Sequence, residues 1–164
     1  MLTGLPAGGR RRGIRLLALV LLAGGLVGPL GGCAGGCADT VIQVSPVEVN
    51  DVSAPLTVSA RLTRDGRPVA GVTVNLAVMV VGPNNAHSEA MFDATTDADG
   101  RASVTRRGGV ARLSPIDHRV TGYSAYFQPT NKIDGKRYCW SSVSARITCR
   151  TAAGSGPCPV GART

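Results

Sequence analysis

Apolar and polar residues alternate in short stretches along most of the chain. The stretch PLTVSARLTRDG, residues 55–66, shows this most clearly, with leucine, valine or alanine at every second position and mostly polar residues between them. A period of two residues is that of a β-strand with one buried face. The stretch VTVNLAVMVV, residues 72–81, is apolar at almost every position, which predicts a central strand covered on much of both faces.

Turn residues separate these two stretches from five more segments of similar character. The additional segments are 40–50, 89–96, 101–106, 119–128 and 139–149. Pro46 confines the first of them to a sheet edge or marks a switch between sheets. Gly100, in the sequence DADG, can supply the positive φ of a tight hairpin turn, and Gly122 marks a slip in the alternation that is typical of a β-bulge.

Seven strand segments without a helical period predict an all-β protein, an antiparallel sandwich of about seven strands. The composition agrees, because 43% of the 164 residues are hydrophobic and only 4% are aromatic. Such a chain suits one domain rich in small and β-branched residues. We assign residues 40–150 to the sandwich and residues 151–164 to a Gly/Pro-rich tail.

Residues 1–32 have the pattern of a secretory signal peptide. Four arginines, at positions 10, 11, 12 and 15, form a basic region that precedes the apolar run over residues 16–30. The run is shorter than the ~20 residues of a membrane-spanning helix and is interrupted by glycine, which fits a targeting segment. Paired arginines also occur in twin-arginine signals, but we take general secretion as the default route.

Leu30, Gly31 and Gly32 precede Cys33 and resemble the lipobox of bacterial lipoproteins. The resemblance implies that the chain is cleaved before Cys33, that Cys33 is acylated, and that residues 33–39 form a short glycine-rich linker. Ordinary signal cleavage near CAGGCA is the alternative, and it leaves the cysteines there as plain thiols for disulfide formation. We therefore expect a protein at the extracytoplasmic face of the cell membrane, held by an N-terminal lipid anchor, or secreted.

The other four cysteines, Cys37, Cys139, Cys149 and Cys158, are expected to be oxidised in pairs outside the cytoplasm. Cys139 and Cys149 bracket one strand and therefore lie roughly 33 Å apart, far beyond the ~5.5 Å between the α-carbons of a disulfide. Odd-numbered strands of an up-and-down sandwich start at the same end, which favours Cys37 with Cys139 and leaves Cys149 with Cys158. The pairing of Cys37 with Cys158 is the main alternative.

Charge and cysteine spacing argue against two other classes of partner. Four of the 18 basic residues precede Cys33, so the remaining 14 face 10 acidic residues and give a net charge of +4. These basic residues are scattered along the strands rather than clustered with stacking aromatics, so we expect no nucleic-acid partner. The C-x-x-x-C pair has no downstream partner with metal-ligand spacing, so we expect no metal site.

No constellation of catalytic residues stands out, and we expect a non-enzymatic protein without a cofactor. Ser114, Asp117 and His118 are too close in sequence to place a nucleophile, a base and an orienting group in line. The sequence DADG resembles the start of a calcium loop, but the twelfth position of that loop is Gly108 rather than glutamate.

The segment KRYCW, residues 136–140, is the one stretch in which aromatic and basic residues adjoin. An exposed aromatic residue at the end of a sandwich suits contact with a protein or a sugar, so Tyr138 and Trp140 are our candidate ligand contacts. The competing interpretation is that the rings pack in the core or cover the disulfide of Cys139.

Three motifs resemble bacterial immunoglobulin-like domains of the invasin and intimin repeat type. They are DGRPVAGVTVNL, ATTDADGRASV and GYSAYF, within residues 55–128. The resemblance implies an immunoglobulin-like sandwich, although this chain has a single copy and its cysteines are not a family feature. We expect a lipid-anchored domain for adhesion or for binding an envelope protein or polysaccharide; the alternative is a structural spacer or accessory subunit of a surface complex.

Overall fold

Two β-sheets face each other across one apolar core in the computed structural model. The structure describes residues 36–113, 117–151 and 154–161, and within these ranges it has eleven strands and two short 3-10 turns, Pro83–Asn85 and Val110–Arg112. The strands are β1 (Val41–Val44), β2 (Val47–Val49), β3 (Leu56–Arg64), β4 (Arg67–Pro68), β5 (Thr73–Val81), β6 (His87–Thr95), β7 (Arg101–Arg106), β8 (His118–Phe127), β9 (Ser141–Thr151), β10 (Gly154–Gly156) and β11 (Cys158–Val160).

The first sheet is built around β3. Strand β1 pairs with one side of β3, while β7 and the two-residue β4 follow one another along its other side, all antiparallel. The alternation of β3 has the predicted effect, because Leu56, Val58, Ala60 and Leu62 are each at most 3% exposed. This row supplies the first sheet's largest contribution to the core.

The second sheet has the strand order β10-β9-β8-β5-β6, with β11 paired to β8 and β2 paired to β9. Strand β5 lies between β6 and β8, and both its inward row and Ala77 and Val81 on the other face are buried, so the prediction of a central strand is confirmed. The β2–β9 pair is parallel. The two-sheet, sandwich-like all-β fold is therefore confirmed, whereas the expectation of purely antiparallel pairing is wrong.

Segment 40–50 changes sheets at Pro46, which confirms one of the two roles predicted for this proline. Before it, β1 joins the first sheet; after it, β2 joins the second. Proline has no N–H for a ladder and fixes its own φ, so the chain leaves one sheet there without losing a pairing donor. The Tyr123 hydroxyl fastens the crossing, since it lies 2.8 Å from the Ser45 carbonyl oxygen and 3.0 Å from that of Ser59.

The DADG turn is tight, as predicted, but it does not close a hairpin. The Gly100 N–H donates to the Asp97 carbonyl at 3.0 Å, and Gly100 has a φ of 72°. Strand β6 before the turn pairs with β5, however, and β7 after it pairs with β3. The turn thus carries the chain from one sheet to the other, a choice that the local turn residues do not encode.

A register shift lies beside Gly122, where a β-bulge was predicted. Met79 pairs with Gly122 and Val80 with Val120, so Thr121 is the extra residue of β8. A Cβ on Gly122 would lie 2.6 Å from the Ala145 carbonyl oxygen. The alternation slips here because two residues of β8 face one step of β5.

The glycine-rich tail contributes two short strands rather than only a loop. Strand β10 pairs with the end of β9, and β11 pairs with the start of β8. Disulfides join Cys37 to Cys139 and Cys149 to Cys158, with α-carbons 5.1 and 4.8 Å apart. These are the two pairs that the strand positions favour, and Cys158 is not bonded to Cys37.

Candidate functional site

The Cys37–Cys139 disulfide lies at one end of the sandwich, where the N-terminal segment meets the chain just before β9. The Ala38 N–H donates to the Arg137 carbonyl at 2.8 Å, and the Cys139 N–H donates to the Ala38 carbonyl at 2.9 Å. The Thr40 hydroxyl adds a bond to the Cys139 carbonyl at 3.1 Å. A covalent bond and three hydrogen bonds therefore fix the chain at this point, which we call the Cys37–Cys139 end.

Tyr138 is partly buried in the middle of this end. Its ring meets Phe127 edge to face, with centroids 6.2 Å apart, and the Arg64 guanidinium carbon lies 5.8 Å from its centroid. Such contacts fix an aromatic ring against the core and leave one side beneath a cation. These contacts agree with the competing interpretation of Tyr138, in which the ring packs against the core.

Trp140 has a different environment from Tyr138. Its side chain is 66% exposed, one of three large hydrophobic residues among the described ones that are more than half exposed. The structure brings the two candidate ligand contacts to one end, where one is packed and the other projects into solvent; ligand contact itself stays a prediction.

Positive charge gathers at this end from two loops that are distant in sequence. The turn after β3 and the connection before β9 line two clefts of about 470 and 540 Å³ that meet at Tyr138. The charged residues lining them are Arg64, Arg67, Lys132, Lys136 and Arg137 against Asp65 and Asp134. The sequence did not reveal this cluster, because the loops containing residues 64–67 and 132–137 adjoin only after folding.

The opposite end, which we call the hairpin end, is formed by the turn between β5 and β6. Nine-residue β5 runs from one end to the other, a span of roughly 26 Å. A cleft of about 570 Å³ there lies between the turn, the start of β8 and the end of β11. Asn84 and Asn85 both have a φ of 58°, and Arg119 Nη2 donates to Asn85 Oδ1 at 2.9 Å.

The residues weighed for catalysis and metal binding have structural contacts. A ring nitrogen of buried His118 lies 3.0 Å from the Val110 carbonyl oxygen, and Ser114 lies outside the described residues. Asp97 Oδ1 accepts the N–H groups of Asp99 and Arg101, both at 2.9 Å, and so closes its own turn. Within residues 36–113, 117–151 and 154–161, His, Cys, Asp and Glu nowhere form a group of three suited to a metal ion.

Two ionisable groups have shifted pKa values. Burial raises the pKa of Tyr123 above its ordinary value of 10.0. The Ser53 hydroxyl and N–H, which both donate to Asp51 Oδ1, lower the pKa of that carboxyl. Tyr123 fastens the crossing between the sheets and Asp51 closes an exposed turn, and neither lines one of the clefts at the two ends.

The predicted lipidation residue, Cys33, and the signal peptide before it lie outside the described residues. In the part of the chain that is described, no helix is long and apolar enough to cross a membrane. The chain matches no protein-family model, and comparison with curated proteins finds none of significant similarity.

Proposed function

We propose that this protein is a non-catalytic domain of the bacterial cell envelope, anchored by a lipid on Cys33, that binds an envelope protein or polysaccharide. The observation that supports it most directly is the fixed position of Cys37. This residue follows Cys33 by four positions and is held at one end of the sandwich by a disulfide and adjoining hydrogen bonds. A lipid on Cys33 would hold that end near the membrane and present the hairpin end outward.

The two disulfides support an extracytoplasmic location. Disulfides form and persist in oxidising compartments and are rare in reduced cytoplasm. Three of the four bonded cysteines, Cys139, Cys149 and Cys158, are buried, where they pack as part of the structure. The sequence favours export to that compartment through a signal peptide followed by a lipobox.

We further propose that the sandwich is of the immunoglobulin type. The first sheet contains β1, β3 and β7, and the second places β2, β9, β8, β5 and β6 side by side. Two features are consistent with a variable-type immunoglobulin sandwich. The N-terminal segment divides between both sheets, and the second sheet has an additional strand, β6, beside β5.

The cleft at the hairpin end offers groups that suit a hydroxyl-rich or polypeptide partner. The amides of Asn84 and Asn85, the carboxylate of Asp117 and the guanidinium of Arg119 all line it. Amides and carboxylates both accept hydrogen bonds, and amides and guanidinium groups donate them. This end faces away from the proposed anchor, which leaves it accessible to the envelope.

Mass spectrometry of the mature protein tests the anchor. We expect an N-terminal Cys33 with two or three acyl chains, because one chain alone binds membranes only marginally. The Cys33→Ser variant should leave the membrane fraction. An unmodified N-terminus at Ala38 or beyond contradicts the proposal.

Photocrosslinking on intact cells tests the binding role. A photoreactive amino acid at Asn85, at the hairpin end, should give a discrete crosslinked product. The same amino acid at Ser103, exposed in the middle of β7, serves as the control. Equal labelling from both positions, or none from either, contradicts a specific partner at this end and favours the structural spacer.

A further inference from the structure

The Cys37–Cys139 end combines positive charge with an exposed tryptophan. Of the cations there, Arg64 forms an ion pair with Asp65 at 3.3 Å. In the described part of the chain, no carboxylate lies within 4.0 Å of the charged groups of Arg67, Lys132, Lys136 or Arg137. Asp134 is the only other acidic residue lining the two clefts, and exposed Asp39 lies between Ala38 and Thr40. Five cations therefore face three carboxylates, and this end has a net positive charge.

The length of the N-terminal linker determines which surface can reach a bilayer. Cys37 follows Cys33 by four positions, and even a fully extended chain spans only about 14 Å over that distance. The hairpin end is roughly 26 Å away along β5, farther than this segment can reach, so a lipid on Cys33 holds the Cys37–Cys139 end closest to the membrane. The Cys37–Cys139 end, in contrast, is always within reach of the bilayer surface.

The chemistry of this end matches that of an anionic lipid surface. Lysine and arginine near such a surface are attracted to its headgroups, an effect that falls off within about one Debye length of 8 Å. Tryptophan and tyrosine favour the headgroup level, where an amphipathic ring is partly wet and partly apolar. Trp140, at 66% exposure, is available for that position.

We propose that the Cys37–Cys139 end docks on bilayers that contain anionic lipid, with Trp140 at headgroup level and Lys132, Lys136 and Arg137 against the headgroups. This inference rests on the proposed anchor at Cys33. The acyl chains hold the protein at the membrane, and the docked end gives it a second contact. Two contacts fix an orientation, which keeps the hairpin end directed away from the lipid.

Trp140 is the only tryptophan in the chain, so its fluorescence reports docking directly. The mature lipoprotein is reconstituted into vesicles of phosphatidylcholine alone or of phosphatidylcholine with phosphatidylglycerol. We expect a blue-shifted emission only in the anionic vesicles, and quenching by spin-labelled lipid headgroups that is stronger there than in the neutral ones. Raising the ionic strength should reverse both changes, because it screens the attraction to the headgroups.

A double variant and a matched control separate this surface from overall charge. Each cation near an anionic surface contributes about fivefold to the ratio of docked to undocked protein, so Lys132→Gln with Arg137→Gln should lower that ratio by about 25-fold. Arg107→Gln with Arg146→Gln removes the same charge from exposed positions after β7 and within β9. This control should leave the quenching unchanged.

Three results would overturn the proposal. The first is the same Trp140 emission in neutral and anionic vesicles, and the second is equal loss of quenching in both double variants. The third is a Trp140 response to a soluble acidic polysaccharide but not to vesicles, which assigns this end to a glycan. The same preparation is analysed by mass spectrometry, so a missing lipid on Cys33 is recognised separately as failure of the anchor.

Discussion

Gly100 combines two constraints that only glycine satisfies. Its φ of 72° is unfavourable for other residues, and a Cβ there would clash with the Leu62 carbonyl oxygen and lie 3.1 Å from Pro68 Cβ. We predict that Gly100→Ala lowers the free energy of unfolding by at least about 2 kcal/mol, since left-handed strain alone costs about 1–2 kcal/mol. Urea denaturation followed by circular dichroism measures the change.

Gly135 provides the control for this prediction. It has a similar φ of 74°, but a Cβ there would meet nothing within 4 Å. Gly135→Ala should therefore show only the left-handed strain, about 1–2 kcal/mol, and less destabilisation than Gly100→Ala. Equal destabilisation by the two substitutions would show that the contact with Leu62 and Pro68 does not constrain Gly100.

Tyr123 gives the fold a dependence on alkaline pH. Burial raises its pKa above the ordinary 10.0, so the folded protein holds the phenolic proton more tightly than the unfolded chain does. The resulting stability is fully present below pH 10 and is lost as the pH rises through the raised pKa. We predict that Tyr123→Phe abolishes this part of the alkaline loss.

Urea titrations between pH 8 and 11 test it against Tyr126→Phe, whose exposed hydroxyl lies 3.4 Å from Glu89. At neutral pH, Tyr123→Phe should cost about 1 kcal/mol, because the carbonyls of Ser45 and Ser59 lose their donor. The Tyr126→Phe variant should follow the wild-type pH profile. If Tyr123→Phe also follows it, the hydroxyl is not the titrating group.

Among the elements, the two disulfides constrain loops of very different length. Cys37–Cys139 spans 102 positions and Cys149–Cys158 spans 9. The chain-entropy account gives about 4.7 kcal/mol for the long loop and about 2.6 kcal/mol for the short one. We predict that the paired Cys→Ser substitution at 37 and 139 lowers the urea midpoint more than the pair at 149 and 158. The reverse order would indicate that losing Cys149–Cys158, the disulfide beside β10 and β11, destabilises the protein more than losing Cys37–Cys139.

Strands were predictable from the sequence where one face is buried. Segment 101–106 coincides with β7, and the buried row of β3 follows its alternation residue by residue. The strands β10 and β11 were missed because GSG and CPV carry no β-propensity pattern and pair only after the tail is fixed beside β8 and β9. The prediction of a hairpin between β6 and β7 was wrong for a related reason. Turn residues determine the bend, whereas packing of the buried faces determines which strands pair.

At the scale of the whole molecule, the short segment between Cys33 and Cys37 should control orientation at the membrane. We predict that a 20-residue Gly/Ser insertion between Ala34 and Cys37 leaves the protein in the membrane fraction and reduces lipid quenching of Trp140. A flexible linker of that length reaches roughly 25 Å on average, so the end no longer has to remain at the surface. Undiminished quenching would show that the docked end holds its position without the short linker.

The sequence predicts some parts of the candidate surfaces and not others. Tyr138 and Trp140 stood out in the sequence because aromatic residues adjoin basic ones in KRYCW. The cations at Arg64 and Arg67 did not, because their proximity to Tyr138 depends on the turn after β3 packing beside the loop before β9. The cleft at the hairpin end likewise joins three segments that are far apart in sequence.

The sequence by itself determined the β-class of the fold, the buried rows and the positive φ of Gly100, and it restricted Pro46 to a sheet edge or a switch between sheets. These follow from local rules, namely the period of two, the missing N–H of proline and the freedom of glycine. Only the tertiary structure decided which strands pair, that β2 runs parallel to β9, and that cations from two loops meet at Tyr138. Those features depend on contacts between residues far apart in the chain, and the packing of the two sheets selects them.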